Sequence, residues 1–322
     1  MDFNTLKSVV DSDFEAVNQL ITDELKSKAP LVGEISRYII ESGGKRLRPL
    51  VTLLSAKACG YTGNQHLEIA AIIEFLHTAT LLHDDVVDES PLRRGQPSAH
   101  QIWGNSASIL VGDFLISRAF QLIVRTGNLK ILHILGDATN LIAEGEVLQL
   151  MNCKNPNTQE TDYLKVIEQK TAKMFEAAAQ CGGVIAQCDA IQEQALSSYA
   201  SQLGFAFQLI DDWLDYQGTA DHMGKPAGTD LAEGKPTLPI IYAIQHGNTD
   251  QKTQLQNVIR QGGSDQLALV QSILINTGAL EYTLATALER KQRAILALAP
   301  LVDSPYKTAL IQLAELAVQR NY

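Results

Sequence analysis

His66 to Glu89 reads HLEIAAIIEFLHTATLLHDDVVDE. From His66 to Thr80 it is apolar nearly all round, which predicts a helix buried on every side. At its end Asp84, Asp85 and Asp88 stand at i, i+1 and i+4. Residues four apart stack on one helix face, so Asp84 and Asp88 point the same way, with Asp85 about a third of a turn round. Carboxylates gathered at the end of a buried helix are costly to desolvate unless cations neutralise them. Oxygen-only donors suit a hard divalent ion, and Mg²⁺ is usually shared between a few carboxylates and substrate phosphates.

The pattern recurs far down the chain. Phe207 to Asp215 reads FQLIDDWLD and repeats the D-D-x-x-D spacing at Asp211, Asp212 and Asp215 in the same apolar setting. A lone acidic triplet is usually a solvated helix face. Two copies, each in an apolar helix, favour two helices facing each other across one cavity. Metal ions would then lie between the carboxylates and an anionic substrate.

The remaining composition narrows the class. The chain has 322 residues, 45% hydrophobic and 19% charged, with a formal net charge of −10. That is an ordinary globular composition with length for a large core. The basic footprint of a general nucleic-acid binder is missing, so an acidic chain that binds diphosphates must concentrate its cations locally. Cys59, Cys153, Cys181 and Cys188 form no C-x-x-C and sit in apolar contexts. They read as reduced core residues of a cytosolic protein, not as a zinc site. The N-terminal stretch lacks the basic and apolar regions of a signal peptide, and no run of eighteen apolar residues predicts a transmembrane segment.

Apolar residues recur at three- and four-residue spacings from end to end, and strand-like alternation is nearly absent. The expected helices are 4–27, 30–42, 46–59, 66–90, 98–126, 128–153, 160–185, 189–217, 236–246, 249–262, 265–276, 279–298 and 303–320. Turn compositions separate them at 60–64, 91–97, 155–157, 217–236 and 300–305. None reads as an interdomain linker, so residues 1–322 are expected to form one all-α domain.

Several polar groups stand out. Gly43-Gly44-Lys45-Arg46-Leu47-Arg48-Pro49 joins two helices, and its amides with Lys45 and Arg48 make an anion site. The plainer reading is a basic loop with a helix start. His77 lies about two turns before Asp84, on roughly the same face, as a phosphate donor or a satisfied core histidine. Arg93 and Arg94 follow the first acidic cluster. They either pair with it or clamp the phosphates that its metals hold. Lys170 and Thr171 lie mid-helix and Gln208 precedes Asp211, all in apolar surroundings where polar groups need partners. Gly224 to Pro236, GKPAGTDLAEGKP, carries Lys225 and Lys235 and is composed to close over a charged ligand.

Taken together these residues resemble the trans-isoprenyl diphosphate synthases. The two D-D-x-x-D stretches match the family's aspartate-rich motifs, and GGKRLRP, the paired arginines, KT, FQ and GKPAGTDLAEGK follow in the family's order. HTATLLHDDVVDES, SASILVGDF, AEGEVLQLMN and FEAAAQCGG look closest to the bacterial octaprenyl diphosphate synthases. The resemblance implies a single large helical bundle of the isoprenoid synthase type around a central apolar cavity. It implies head-to-tail condensation of isopentenyl diphosphate with an allylic diphosphate such as farnesyl diphosphate, giving a long polyprenyl chain for a quinone. It implies two or three Mg²⁺ held by Asp84, Asp85, Asp88, Asp211 and Asp212, with Asp215 completing the second cluster. Arg93, Lys170 and Lys235 would surround the allylic diphosphate, and Lys45, Arg48, His77 and Arg94 would hold isopentenyl diphosphate without metal. Thr171 and Gln208 would face the allylic cation.

Ala79 and Thr80 are small where farnesyl-type members carry aromatic side chains at or near these positions. A tunnel open past this turn, with its floor near Ile72 to Leu76 or on the 128–153 helix, is expected. A homodimer is expected too, located in the cytoplasm or peripherally at the inner membrane. Two other readings stay open. A geranylgeranyl-length synthase would differ only in product. A non-catalytic subunit of a two-component synthase would normally lack the aspartates, all six of which are present here. Terpene cyclases and head-to-head synthases share acidic helices but lack the GGKRLRP site.

Overall fold

The computed structural model describes residues 3–217, 227–262 and 264–319. Apart from one two-residue-strand hairpin, all regular structure among them is helical. The all-α expectation therefore holds. Most of the expected helices appear within a few residues, among them Pro30–Glu41, Leu47–Ala58, Gln65–Val87, Leu129–Asn152 and Ala190–Gln217.

The departures have local causes. The expected 98–126 helix is two, Ala99–Trp103 and Asn105–Thr126, because Gly104 takes φ 84° between them. The first expected helix is interrupted by a 3₁₀ turn at Ser8–Val10. Within the loop expected over 217–236, Thr229–Glu233 forms a short helix. Leu92–Arg93 and Gln96–Pro97 pair as an antiparallel hairpin, Leu92 opposite Pro97 and Arg93 opposite Gln96. Arg94 and Gly95 between them both have positive φ, 54° and 76°, the geometry of the tight turn that matches strand twist.

The chain divides into two compact units. One is Met1–Thr139 with Met174–Ala200 and Ala297–Leu313; the other is Asn140–Lys173 with Ser201–Leu296 and Ala314–Tyr322. Each break between them falls inside a helix. In the first unit Gln65–Val87 is the central helix, contacted by Asp11–Glu24, Leu47–Ala58 and Asn105–Thr126. Ile69, Ala70, Ala71, Ile72, Ile73 and Phe75 have no exposed surface, so the helix is buried all round from Ile69 to Leu76, within the apolar run. Each such large side chain contributes roughly 1.5–3 kcal/mol. Asn105–Thr126 is the one described helix long and apolar enough, by length and composition, to cross a membrane. Here it packs Val111, Leu115, Ala119 and Leu122 into the core.

Two apolar clusters lie among the described residues of the second unit. One gathers Tyr216, Leu231, Ile240, Leu255, Val270 and Leu280. The other gathers Tyr163, Ile167, Phe205, Leu209, Ile210 and Leu238 around the approach to the second acidic motif.

Candidate active site

The central helix changes character at His77. Beyond it Thr80, Leu81 and Asp84 are half-buried, on one stripe with His77, while Thr78, Ala79, Leu82 and Asp85 are buried. His77 and Asp84 therefore share the open face, as their spacing predicts. Ala79 does not lie on it: it has no exposed surface. Of the two residues expected to flank a tunnel, Thr80 is half-buried and Ala79 fully buried.

Arg48 reaches this face from the start of Leu47–Ala58. Its Nη1 donates to His77 Nε2 at 3.0 Å, and its guanidinium lies 4.4 Å from the centroid of the buried Phe175 ring. Burial, then the charges of Arg48, Arg94 and Arg93, hold His77 well below its ordinary pKa. The ring is neutral and accepts from Arg48, so His77 fixes a guanidinium in this arrangement. Arg94, on the hairpin turn, lies against the glycine loop. A Cβ on Gly44 would meet its guanidinium at 2.6 Å, and Gly44 has φ 127°. That backbone conformation favours glycine, and the absent side chain leaves the Arg94 guanidinium room to lie there. Lys45 is exposed, its Nζ 6.0 Å from the Phe3 ring centroid. Arg48, His77 and Arg94 thus gather beside the GGKR loop, with Lys45 at its rim.

Arg93, the other hairpin arginine, turns to the acids. It donates from Nε to Asp85 Oδ1 at 2.9 Å and again from Nη2 to the same oxygen. Asp85 is 1% exposed, and its Oδ2 has no hydrogen-bond partner.

The second unit carries the other expected residues. Glu168–Ala172 is a π-turn between the Glu160–Ile167 and Lys173–Ile185 helices, and it holds Lys170 and Thr171. Such turns are rare and collect at functional sites. Thr171 Oγ1 donates to Gln208 Oε1 at 2.9 Å, and Gln208 Nε2 donates to Asp212 Oδ1 at 2.8 Å. Tyr163 OH donates to Asp212 Oδ2 at 2.5 Å. Burial, followed by the Asp230 charge, pushes the Asp212 carboxyl well up, against the lowering effect of its two donors. Both Asp212 oxygens are engaged by side chains. Asp215 is engaged differently: its two oxygens accept from the amides of Thr229 and Asp230, each at 3.1 Å. It holds the start of the Thr229–Glu233 helix. Asp211 is half-buried and is the least enclosed acid of the three.

Lys170 and Lys235 are brought together through the Leu129–Asn152 helix. Lys170 Nζ donates to Glu146 Oε2 at 2.6 Å. With its amide oxygen turned inward, Gln149 accepts from Lys170 and Lys235, both at 3.2 Å. Lys235 also pairs with Glu233 at 2.7 Å. The helix comes this close because residue 145 is glycine: a Cβ there would stand 2.8 Å from the Lys170 backbone nitrogen. Lys225 lies outside the described residues.

Sequence reasoning missed Phe175, Tyr163, Gly145, Glu146 and Gln149 as parts of these groups. Phe175 lies in FEAAAQCGG, and Gly145, Glu146 and Gln149 in AEGEVLQLMN, so the family-like blocks held the signal without naming the residues. The donor set suits a hard divalent ion, being all oxygen and including a buried Asp85 oxygen without a partner. Among the described residues no group of three or more His, Cys, Asp or Glu is already gathered into a metal site.

The chain matches known proteins over its length. The family model for polyprenyl synthetase matches residues 29–275. An octaprenyl diphosphate synthase of Escherichia coli (strain K12) is 48% identical over 322 residues, covering all of both chains. An all-trans-nonaprenyl-diphosphate synthase (geranyl-diphosphate specific) of Rhodobacter capsulatus is 47% identical, covering 97% of this chain and 96% of that one. The crystal structure of a polyprenyl synthase from Caulobacter crescentus CB15, complexed with calcium and isoprenyl diphosphate, superposes with a TM-score of 0.96 at 42% identity. It covers 100% of this chain and 98% of that one. A likeness of this extent, joined to the acidic helix ends and the lysine and arginine groups around them, places the chain in the polyprenyl synthetase family, and it is a prenyltransferase.

Proposed function

We propose that the chain is a long-chain all-trans polyprenyl diphosphate synthase, with octaprenyl diphosphate as its product. One observation carries this beyond family membership. A basic group with no acid ligand cluster, formed by Arg48, His77 and Arg94, opens on the same helix face as Asp84. A synthase that joins two diphosphates, only one of which ionises, needs both kinds of site; a cyclase needs one. The octaprenyl and nonaprenyl synthases to which the chain is similar support the length class.

In this reading the basic group holds isopentenyl diphosphate, with Lys45 reaching in from the rim. Asp84, Asp85, Asp88 and Asp211 would hold Mg²⁺ jointly with oxygens of the allylic diphosphate; Asp212 and Asp215 support the second cluster from behind. The ions supply neutralisation of the charge that builds on departing diphosphate. Lys170 and Lys235, prearranged by Glu146 and Gln149, bind the same leaving group. Arg93 holds Asp85 in place. As the allylic C–O bond breaks, the C4 alkene of isopentenyl diphosphate attacks C1. The proton then lost from C2 passes to the released diphosphate, since no side chain here is a dedicated base. Thr171 and Gln208 turn oxygen dipoles toward the allylic carbon. Apolar helices exclude the water that would quench it.

The whole chain acts as one catalytic domain in a homodimer, in the cytoplasm, with the water-insoluble product released at the inner membrane. Incubation with Mg²⁺, labelled isopentenyl diphosphate and farnesyl diphosphate, followed by reverse-phase sizing of the dephosphorylated products, tests the reading. Elongation to about eight isoprene units without a second protein is the expected result. A product stopping at four units would favour the geranylgeranyl alternative, cyclised hydrocarbon would place the chain among the cyclases, and no turnover would make it a non-catalytic subunit.

A further inference from the structure

Glu74 is an acid where the fold offers an acid no welcome. It lies on Gln65–Val87 one turn before His77, 6% exposed, between Ile73 and Phe75, which have no exposed surface. Its Oε1 is 3.9 Å from Arg46 Nε, and its Oε2 is buried with no hydrogen-bond partner. Burial pushes its carboxyl up, and the charges of Arg46, Arg48 and Arg94 pull it back in that order. A buried carboxyl with half its capacity unused is costly, and an apolar residue of similar volume would suit the core better.

The three guanidiniums around it have separate anchors. Arg46 takes φ 46° and ψ 50° just before Leu47–Ala58, and its side chain turns inward. There it donates to the Asn18 side chain and, at 3.4 Å, to the Ile40 carbonyl. Arg48 reaches His77, and Arg94 lies on Gly44. The Glu74 carboxylate interacts electrostatically with all three. Left alone, three neighbouring guanidiniums repel, and the half-buried Arg46 and Arg48 would gain by turning to solvent, where Arg94 is already exposed. One carboxylate offsets part of that repulsion and still leaves the group net positive, as an anion site requires.

We propose that Glu74 is a positioning residue for the metal-free diphosphate site: it seats Arg46, and so the glycine loop, and holds Arg48 and Arg94 ready for the ligand. The inference rests on the reading of that group as the isopentenyl diphosphate site. Being buried, Glu74 acts through the arginines and not on the substrate. Preorganisation of this kind appears as affinity, because fewer side chains must be gathered on binding.

Steady-state kinetics of the full chain, varying each substrate in turn, test it. Glu74→Gln keeps the shape and removes the charge. Its KM for isopentenyl diphosphate should rise about tenfold, roughly 1.4 kcal/mol, while kcat and the KM for farnesyl diphosphate stay within about twofold. Glu74→Asp should recover part of the loss. In an Arg48→Ala background Glu74→Gln should add little, because both act through one group. The inference is overturned if Glu74→Gln lowers only the melting temperature, raises both KM values alike, or adds in full to Arg48→Ala. Should Glu74→Gln not fold, Arg46→Lys is read by the same split, and an unchanged KM for isopentenyl diphosphate overturns it equally. Arg48→Ala alone separates the two layers. If it spares isopentenyl diphosphate, the site assignment fails and Glu74 falls with it. If it is selective and Glu74→Gln is not, only the role of Glu74 fails.

Discussion

Asp212 shows how much one residue's surroundings decide. By spacing it equals Asp85, yet the structure gives its two oxygens to Tyr163 and Gln208, whereas Asp85 keeps one oxygen without a hydrogen-bond partner. Tyr163→Phe should therefore act through Asp212. It strips one donor from a buried carboxylate and should cost about 1–3 kcal/mol, read as a lower urea midpoint, with activity reduced as well. Full stability would mean that Asp212 finds water or another donor. The acids themselves were legible from D-D-x-x-D alone, because spacing on a helix fixes direction. The partners were not. Tyr163 lies far from Asp212 in sequence, and no local pattern says which hydroxyl will meet which acid until the helices pack.

At the scale of elements, periodicity located most of the helices, since each has an apolar face to bury. It could not locate the π-turn at Glu168–Ala172, because one extra residue in a turn leaves the apolar pattern nearly intact. That turn and Gly145 fit each other. Gly145→Ala would drive a Cβ to 2.8 Å from the Lys170 nitrogen, and backbone there has little freedom to retreat. We expect a loss of about 1–3 kcal/mol from overpacking and a fall in kcat, since Lys170 and Lys235 would shift together; unchanged Tm and kcat would show that the helix simply slides. The Gln65–Val87 helix carries the second expectation. Thr80 is on its open stripe and Ala79 is not. Thr80→Phe should shorten the main product to roughly four isoprene units or fewer with little loss of stability. Ala79→Tyr should instead destabilise by about 1–3 kcal/mol. Chromatographic sizing of products and thermal melts decide. Full-length product from folded, active Thr80→Phe would show that the chain does not grow along this face.

For the molecule as a whole, stability against pH combines groups of opposite sign. His77 has its pKa lowered from 6.5 by burial and by neighbouring arginines, and His66 is lowered too, burial outweighing its Asp13 partner. For these the unfolded chain binds the proton first as pH falls below about 6.5, so the stability they leave intact at neutral pH is lost on acidification. Each contributes a slope of up to about 1.4 kcal/mol per pH unit. Glu74 and Asp212 are raised by burial, so the folded state takes their protons first, and their penalty is relieved by the same acidification. His77→Gln should therefore flatten the loss of stability between about pH 7 and 5, measured by urea midpoints; a slope equal to that of the unsubstituted chain would mean that His77 is charged when folded. The two compact units carry a consequence for handling the protein in pieces. Each break between them lies within a helix, so a fragment cut at a unit boundary ends in a severed helix with its apolar stripe bare. Split-protein complementation is better attempted at a turn, such as that between Thr126 and Leu129, where cleavage divides no helix. Limited proteolysis should likewise nick turns first, and should not release either unit as a folded body.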